Sequence, residues 1–313
     1  MTLLIDHVTK RFGSTVALDD LTLTVPRGRI FGFLGANGAG KTTTMRICLG
    51  ILKADEGEVL WDGTPATEIP RRTWGYLPEE RGLYPRMGVL DQLVYFASLY
   101  GVPAKRARDD ARRWLNRFRI SDYADRRAEE LSKGNQQKVQ FIAAILHGPD
   151  VLLMDEPFTG LDPLNLVLLR EAFVELHDAG RTIVFSTHQM EAAEALCESL
   201  AIVDRGRVVA SGTLAALKRG SRARTVRLSI EGETMPGWLG SLAGVAAIRP
   251  GAGFAELELQ AGIEPRDILA AALARGALVT RFELTEPSLE AIFIEHVGRP
   301  AEEGISLDQA DAA

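Results

Sequence analysis

Short apolar runs alternate with helix-like stretches along the first two thirds of the chain. Arg29–Leu34 has the pattern of a short buried strand and leads into a glycine-rich segment and then a helical one. Val151–Met154 and Thr182–Ser186 are apolar in character, which is typical of parallel strands buried on both faces. Residues 88–118 have a helical pattern rich in Leu, Ala and Arg, with Pro103 as an internal stop. This alternation predicts an α/β fold of βαβ units around a parallel sheet.

The pattern changes near Lys218–Arg224, which is basic and rich in small residues. We therefore expect a first domain over residues 1–218, a linker over 219–224 and a second domain over 225–298. The second domain has a βαββαβ pattern, which predicts a small ferredoxin-like α+β fold. Its strands are expected at Thr225–Ile230, 245–249, 254–259 and Leu278–Leu284, and its helices near Pro236–Leu242, at Pro265–Arg275 and at Ser288–Val297. The acidic, Ala-rich residues 299–313 are expected to form a flexible tail.

The composition limits the classes of protein to which the chain can belong. Its 313 residues carry a formal net charge of −6, whereas a dedicated nucleic-acid-binding chain normally has a basic excess. No run of about 20 apolar residues is present, and the N-terminus does not have the pattern of a secretory signal. Cys48 and Cys197 do not have metal-site spacing and fit a reducing compartment. We expect a cytoplasmic protein that does not cross a membrane by itself and does not bind nucleic acid.

A glycine-rich segment carries the first chemical motif. Gly35–Thr42, with the sequence GANGAGKT, matches the phosphate-loop pattern GxxxxGK[ST]. The glycines would let the backbone curl so that its N–H groups point at phosphate oxygens, and the following helix would present its positive N-terminus to the same anion. Lys41 would reach the β- and γ-phosphates, and the Thr42 hydroxyl would bind Mg²⁺. The strand before the motif and the helix after it favour nucleotide binding over a plain glycine-rich turn. The residues expected to bind the nucleotide are Gly35, Asn37, Gly38, Gly40, Lys41, Thr42 and Thr43.

A second motif, Asp155-Glu156-Pro157, ends one of the apolar strands. Side chains alternate faces along a strand, so Asp155 and Glu156 are expected to point in different directions. Ligands of open α/β sheets bind beyond the carboxyl ends of the strands. There Asp155 would hold the Mg²⁺ shell, and Glu156 would polarise a water for attack on the γ-phosphate. The alternative is an acidic surface loop, and only the phosphate loop in the same chain makes the catalytic interpretation the better one.

Further motifs occur in an order that is specific to one family. Leu131–Gln137, with the sequence LSKGNQQ, resembles the LSGGQ signature of ABC-transporter ATPase subunits. Four further sites resemble motifs of this family. They are Thr159–Asp162 for the D-loop, Ser186–His188 for the switch histidine, Tyr76–Glu79 for the Q-loop and Phe12 for the aromatic that stacks on adenine. The resemblance covers residues 1–218.

The resemblance implies a P-loop NTPase fold with a RecA-like core and a helical subdomain, ATP and Mg²⁺ as ligands, and hydrolysis of ATP. It also implies two partners, namely a second ATPase subunit and an integral-membrane permease on a separate chain, which would hold the protein at the inner face of the cell membrane. The residues implied in catalysis are Glu156 as general base, His188 as γ-phosphate contact and Lys41. The residues implied in binding nucleotide also include Phe12, Ser132, Gly134, Gln136 and Asp162, and those implied in binding metal are Thr42, Glu79 and Asp155.

Simpler interpretations exist for several of these residues. Phe12 could be an ordinary core aromatic, and His188 could be a satisfied histidine at a strand end. Ser132 and Gly134 could mark the start of a helix, since serine is a good N-cap. That role is compatible with binding phosphate, because a capped helix N-terminus also attracts anions.

Two segments depart from the family pattern. The Q-loop has Glu79 where glutamine is usual, and a carboxylate would bind Mg²⁺ more strongly than an amide or repel the γ-phosphate if the metal were absent. The signature has Lys133 for glycine and Asn135 before Gln136. These departures affect the geometry of the metal site and the coupling of ATP hydrolysis to transport, and they do not affect ATP binding itself. In both segments the chain is similar to bacterial and archaeal sodium-exporter-type ATPases, which also carry a C-terminal extension.

Two rival functions and one open role remain. A P-loop GTPase or kinase would leave the signature unexplained, and the guanine motif NKxD does not occur. A non-transport ABC ATPase acting on nucleic acid or the ribosome is the main alternative to a transport ATPase. The second domain is either a regulatory ligand-binding module or an element for dimerisation and packing, and its residues favour the latter because they carry no recognisable chemistry.

Overall fold

The structure of the protein, a computed structural model, describes residues 2–80, 82–221, 224–232, 236–260 and 262–298. The chain divides into two compact units, with the division between Gly212 and Thr213. The expected tail over residues 299–313 lies outside the described residues. None of the described helices is long and apolar enough to span a membrane.

The strands of the first unit are β1 (Thr2–Phe12), β2 (Thr15–Pro26), β3 (Ile30–Leu34), β4 (Glu56–Trp61), β5 (Thr64–Pro65), β6 (Trp74–Leu77), β7 (Val151–Asp155), β8 (Thr182–Thr187), β9 (Ser199–Asp204) and β10 (Arg207–Thr213). Its helices are α1 (Lys41–Cys48), α2 (Val89–Leu99), α3 (Ala104–Arg117), α4 (Lys133–Ile145), α5 (Pro163–Asp178) and α6 (Met190–Leu196). The helical stretch 88–118 forms two helices, as the internal stop at Pro103 predicted. Helix α2 ends at Leu99, Gly101 has a left-handed backbone with φ +82°, and Pro103 is the N-cap of α3.

A six-stranded sheet with the order β10-β9-β3-β8-β7-β6 forms the centre of the first unit. Strand β3 is parallel to β8 and β9, and β7 is parallel to β8 and β6. The carboxyl ends of these parallel strands therefore meet at one edge of the sheet. The chain segments that leave this edge begin at Gly35, Pro78, Glu156 and His188. The α/β class and the P-loop NTPase fold are thereby confirmed.

A second sheet and a set of helices complete this unit. The order β2-β1-β4-β5 gives an antiparallel sheet whose apolar face shares a buried core with β3, β7 and β9. Helices α2, α3 and α4 contact one another and form the helical subdomain. Phe141 on α4 links it to the core, since its ring lies 5.5 Å from Phe118 and 5.9 Å from Phe173, measured between centroids. Burial of these rings is favourable by roughly 1.5–3 kcal/mol each.

The second unit contains α7 (Leu214–Gly220), β11 (Arg224–Ile230), β12 (Val245–Pro250), β13 (Ala255–Leu259), α8 (Pro265–Ala274), β14 (Val279–Thr285) and α9 (Leu289–Val297). Its sheet has the order β12-β13-β11-β14, and every pair is antiparallel. This is the strand order of a ferredoxin-like unit. The expected helix near Pro236–Leu242 is only a 3₁₀ helix at Gly237–Ser241, because two glycines in five residues make an α-helix costly.

The junction between the units differs from the expected one. The structural division falls between Gly212 and Thr213, and α7 spans residues 214–220, which overlap the expected linker 219–224 only at Arg219 and Gly220. Thr213 is the N-cap of this helix and accepts a hydrogen bond from the backbone N–H of Ala216. Lys218 and Arg219, whose charge suggested a linker, lie in the last turn, where cations stabilise a helix.

Candidate nucleotide-binding site

A cavity of about 620 Å³ opens at the carboxyl edge of the central sheet. It is bordered by the phosphate loop, by the segments that carry Glu79 and Asp155-Glu156, and by the turn between β1 and β2. Its lining residues are Phe12, Thr15, Val16, Ala17, Asn37, Gly38, Ala39, Gly40, Lys41, Thr42, Thr43, Glu79, Asp155 and Glu156. The structure thus brings most of the expected site residues of the first unit together around one space.

The phosphate loop depends on glycine for its backbone shape. Gly38 and Gly40 have φ values of 77° and 104°, which side chains other than glycine rarely adopt. A Cβ on Gly40 would lie 2.6 Å from Leu18 Cδ2 and 2.8 Å from the Ala17 carbonyl oxygen. Gly40 is also the N-cap of α1 and has no side chain to cover the first amides. The helix N-terminus therefore presents its amides and partial positive charge to the cavity.

Lys41 places the main positive charge at the base of this cavity. Its side chain is buried, and Nζ donates hydrogen bonds to the carbonyl oxygens of Gly35 at 2.7 Å and Ala36 at 3.2 Å. Nζ also lies 3.4 Å from Glu156 Oε1. A buried cation held between carbonyls and one carboxylate is well placed to receive a phosphate.

The two adjacent carboxylates are both buried and both face the cavity. Asp155 ends β7, but Glu156 has φ +48° and leaves the strand in the left-handed region. The expectation that the two side chains point in different directions is therefore wrong, because alternation holds only while the backbone stays extended. The amide of Glu156 donates to both the carbonyl oxygen and the Oγ of Ser186, at 3.2 and 3.0 Å, and this fixes the unusual conformation.

One oxygen of Asp155 fits a metal ligand. Ser186 Oγ donates to Oδ1, whereas Oδ2 is buried with no hydrogen-bond partner among the residues that the structure describes. Thr42 lines the same cavity. In the described parts of the chain, no three His, Cys, Asp or Glu side chains form a metal cluster by themselves. This donor set suits Mg²⁺, which binds one or two protein oxygens and takes its other ligands from phosphates and water.

Glu79 and His188 approach Glu156 from the neighbouring strand ends. His188 Nδ1 lies 3.0 Å from Glu156 Oε2, so one carboxylate contacts both His188 and Lys41. The pKa of Glu79 is raised, first by burial and then by the negative charges of Asp155 and Glu156. An amide at position 79 would not experience this repulsion. A cation in the cavity would relieve it and would favour the ionised carboxylate.

Phe12 is not a core side chain. It ends β1 and is half exposed at the rim of the cavity, with Lys10 Nζ 5.5 Å from the ring centroid. Val16, on the next strand, is also exposed on the same rim. Phe12 and Val16 thus form an apolar, exposed part of the cavity rim.

The signature residues lie elsewhere in the first unit. Ser132 is the N-cap of α4 and accepts from the amide of Asn135, and Asp162 caps α5 in the same way through Asn165. Gln136 Nε2 donates to the carbonyl oxygens of Ala128 and Leu131. Ser132, Gly134, Gln136 and Asp162 are not among the described residues that line the cavity. Ser132 and Asp162 thus mark two exposed helix starts outside the described lining of this cavity.

Several residues of the site were not predicted. Ser186 holds both Asp155 and the Glu156 amide, and its position at the end of a buried strand was a usable signal. Thr15, Val16 and Ala17 line the cavity through the fold of the antiparallel sheet, and no local pattern marks them.

Comparisons with known proteins agree with this geometry. The family described as "ABC transporter" matches residues 18–159, and the family described as "ATP-binding protein DrrA1-3-like, C-terminal domain" matches residues 212–297. The uncharacterized ABC transporter ATP-binding protein YhaQ of Bacillus subtilis is 47% identical over 95% of this chain and 98% of its own length. The chain therefore belongs to the ABC transporter ATP-binding proteins, whose ATPase domains bind ATP.

Further relatives and a solved structure cover about two thirds of the chain. NatA of Bacillus subtilis is 38% identical over 66% of this chain and 86% of its own length. Nod factor export ATP-binding protein I of Paraburkholderia xenovorans is 39% identical over 68% of this chain and 71% of its own length. A solved ATP-binding subunit of an ABC transporter superposes with a TM-score of 0.65 at 32% identity, covering 70% of this chain and 92% of that one. The resemblance to exporter-type ATPases is thus confirmed.

Proposed function

We propose that this protein hydrolyses ATP in the cavity at the carboxyl edge of its central sheet and thereby powers a transporter. The observation that carries the proposal is the convergence of Lys41, Asp155 and Glu156 on one cavity beside the phosphate loop. The loop amides and Lys41 would bind the β- and γ-phosphates. Phe12 at the cavity rim would stack on the adenine.

The chain's own residues support an in-line attack of water on the γ-phosphorus. Glu156 would accept the proton of the attacking water as general base, and its contacts with Lys41 and His188 orient the carboxylate. His188 would exchange its contact with Glu156 for one with the γ-phosphate. Asp155, Thr42 and Glu79 would hold Mg²⁺, which neutralises charge that develops on the transferred phosphoryl group.

The position of the signature residues supports a second ATPase subunit as partner. The lining of their own chain's cavity does not include Ser132, Gly134, Gln136 and Asp162, and a second subunit in head-to-tail contact would supply them. ATP bound between the two chains would favour the closed dimer over the open one.

A separate membrane-spanning permease would use this closure. The names of the relatives support a transport role, and one of them is named for export. Export is therefore the direction we propose, with the chain held at the inner face of the cell membrane by its partner. The alternative function on nucleic acid or the ribosome is not favoured, since the net charge is −6 and the relatives are named as transporter subunits or for export.

The proposal is tested by Glu156→Gln, which keeps the size of the side chain but removes the base. Turnover should fall by at least about 100-fold, the contribution of a general base, while ATP affinity stays within about twofold. Steady-state phosphate release and binding of a fluorescent ATP analogue measure the two effects. Glu68→Gln, the same exchange at an exposed glutamate, is the control and should leave turnover and ATP affinity unchanged. Rapid turnover by Glu156→Gln would refute the assigned role of Glu156.

A further inference from the structure

We propose that Gln140 is a positioning residue that holds the Glu79 loop in the nucleotide site and ties it to the signature helix α4. This inference rests on the proposed function. Gln140 lies in the middle of α4, whose N-cap is Ser132, and its side chain is only 4% exposed. Nothing in its local sequence marks it as part of the site.

The contacts of Gln140 bracket Glu79. Its Nε2 donates to the carbonyl oxygens of Pro78 at 2.9 Å and Glu80 at 3.0 Å. Carbonyl oxygens only accept, so the amide can have just one orientation, with NH₂ toward the loop. Both N–H groups of the amide therefore donate to the two residues that flank Glu79. The loop cannot shift without breaking at least one of these bonds.

The opposite end of β6 is held by the same helical segment. His147 Nε2, just beyond α4, donates to the Trp74 carbonyl oxygen at 2.9 Å. Between these contacts the backbones approach closely, because a Cβ on Gly75 would lie 2.5 Å from the Ala144 carbonyl oxygen. Three hydrogen bonds, two from Gln140 and one from His147, therefore hold β6 and the loop after it against α4 and the residues just beyond it. A displacement of Ser132 at the start of α4 would move Glu79 with it.

The placement of Glu79 makes this attachment relevant to chemistry. Glu79 lines the cavity together with Asp155 and Glu156, so three carboxylate side chains border one space. The distance of its carboxylate from the metal position depends on the backbone of residues 78–80. The signature helix would thus set how well each nucleotide site binds its cation, through Gln140.

Gln140→Leu tests this inference, because leucine has a similar size and cannot donate a hydrogen bond. Gln92→Leu is the matched control, since Gln92 is a buried glutamine on α2 whose Nε2 donates to the Met87 carbonyl oxygen. We expect affinity for a fluorescent ATP analogue without Mg²⁺ to stay within about twofold in Gln140→Leu, because the phosphate loop is untouched. The Mg²⁺ concentration that half-saturates nucleotide binding should rise about tenfold, the typical cost of losing an outer-shell partner.

A double-mutant cycle separates positioning from general destabilisation. In a Glu79→Ala background, Gln140→Leu should change the Mg²⁺ requirement less than about twofold, since it acts through Glu79. Hydrogen exchange of the peptide that contains Pro78–Glu80 should increase in Gln140→Leu and not in Gln92→Leu. Equal effects in both backgrounds, or equal effects of the two leucine variants, would overturn the inference while leaving the proposed function intact. Failure of the wild-type chain to bind ATP would overturn both.

Discussion

At the scale of single residues, the candidate site depends on charges that are buried before any nucleotide arrives. Lys41 and Glu156 are 6% and 5% exposed, and their closest side-chain atoms lie 3.4 Å apart. Buried charges are costly unless they are paired, and this contact gives each of the two side chains an oppositely charged partner. In the proposed mechanism, the same pair would serve both phosphate binding and water activation.

Replacement of Lys41 by alanine should abolish tight nucleotide binding. The variant loses the one cation that donates to Gly35 and Ala36, and it leaves the Glu156 carboxylate facing the phosphates without compensation. Affinity should fall by about 100-fold or more, the scale of a lost charge-assisted contact beside an uncompensated buried charge. Isothermal titration with ATP and Mg²⁺ measures this. Lys105→Ala, at an exposed position on α3, serves as the control, and unchanged affinity in Lys41→Ala would argue against the phosphate-loop assignment.

At the scale of elements, the contact between β6 and α4 is unusually close. Gly75 lies on β6, and an added Cβ would meet the Ala144 carbonyl oxygen and Leu152 Cδ2, both at 2.5 Å. The glycine is needed for this approach rather than for an unusual backbone angle. The close approach lets Gln140 and His147 reach the two ends of β6.

Gly75→Ala should therefore push β6 away from α4 and destabilise the fold. The expected loss is about 1–3 kcal/mol, as for other overpacked core positions, because backbone atoms cannot yield as a flexible side chain can. Urea unfolding gives the change in the free energy of unfolding. Gly82→Ala is the control, since a Cβ there meets no atom within 4 Å. Equal stability of the two variants would show that β6 and α4 are not in close contact.

Other elements follow from local sequence to different degrees. Strands β3, β7 and β8 lie close to where their apolar runs predicted them, because a buried parallel strand needs apolar side chains on both faces. Helix α7 was missed because its basic last turn resembles a linker in composition. Such a turn becomes helical because Thr213 caps the helix and because α7 belongs to the second folded unit.

At the scale of the whole molecule, the proposed dimer would join two parts of a site that each chain carries at separate places. The phosphate loop lines a cavity, whereas the signature helix begins elsewhere in the same unit. An isologous dimer of two such chains would complete two sites at once.

We expect the Glu156→Gln variant to dimerise in ATP and Mg²⁺, because it binds but does not consume the nucleotide that joins the subunits. Adding Ser132→Arg should keep the chain monomeric, since a bulky side chain at the α4 N-cap would block the contact. Light scattering after size-exclusion chromatography distinguishes monomer from dimer, and the affinity of the double variant for a fluorescent ATP analogue checks that its own phosphate loop still binds. A monomer of Glu156→Gln at saturating ATP would contradict completion of the site by a second copy.

The sequence by itself determined the α/β class, the phosphate loop and the order of the family motifs, because these depend on residues that are close together along the chain. Local features include the glycines that shape the loop, Lys41 directly after Gly40, and Asp155 at the end of an apolar strand. Only the tertiary structure decided that Asp155 and Glu156 face the same cavity, since this depends on a left-handed backbone held by Ser186 from another strand. It alone also decided that Phe12 lies at the cavity rim and that Gln140 holds the Glu79 loop. Contacts across 60 or more residues arise from how strands and helices pack, and no short pattern encodes them.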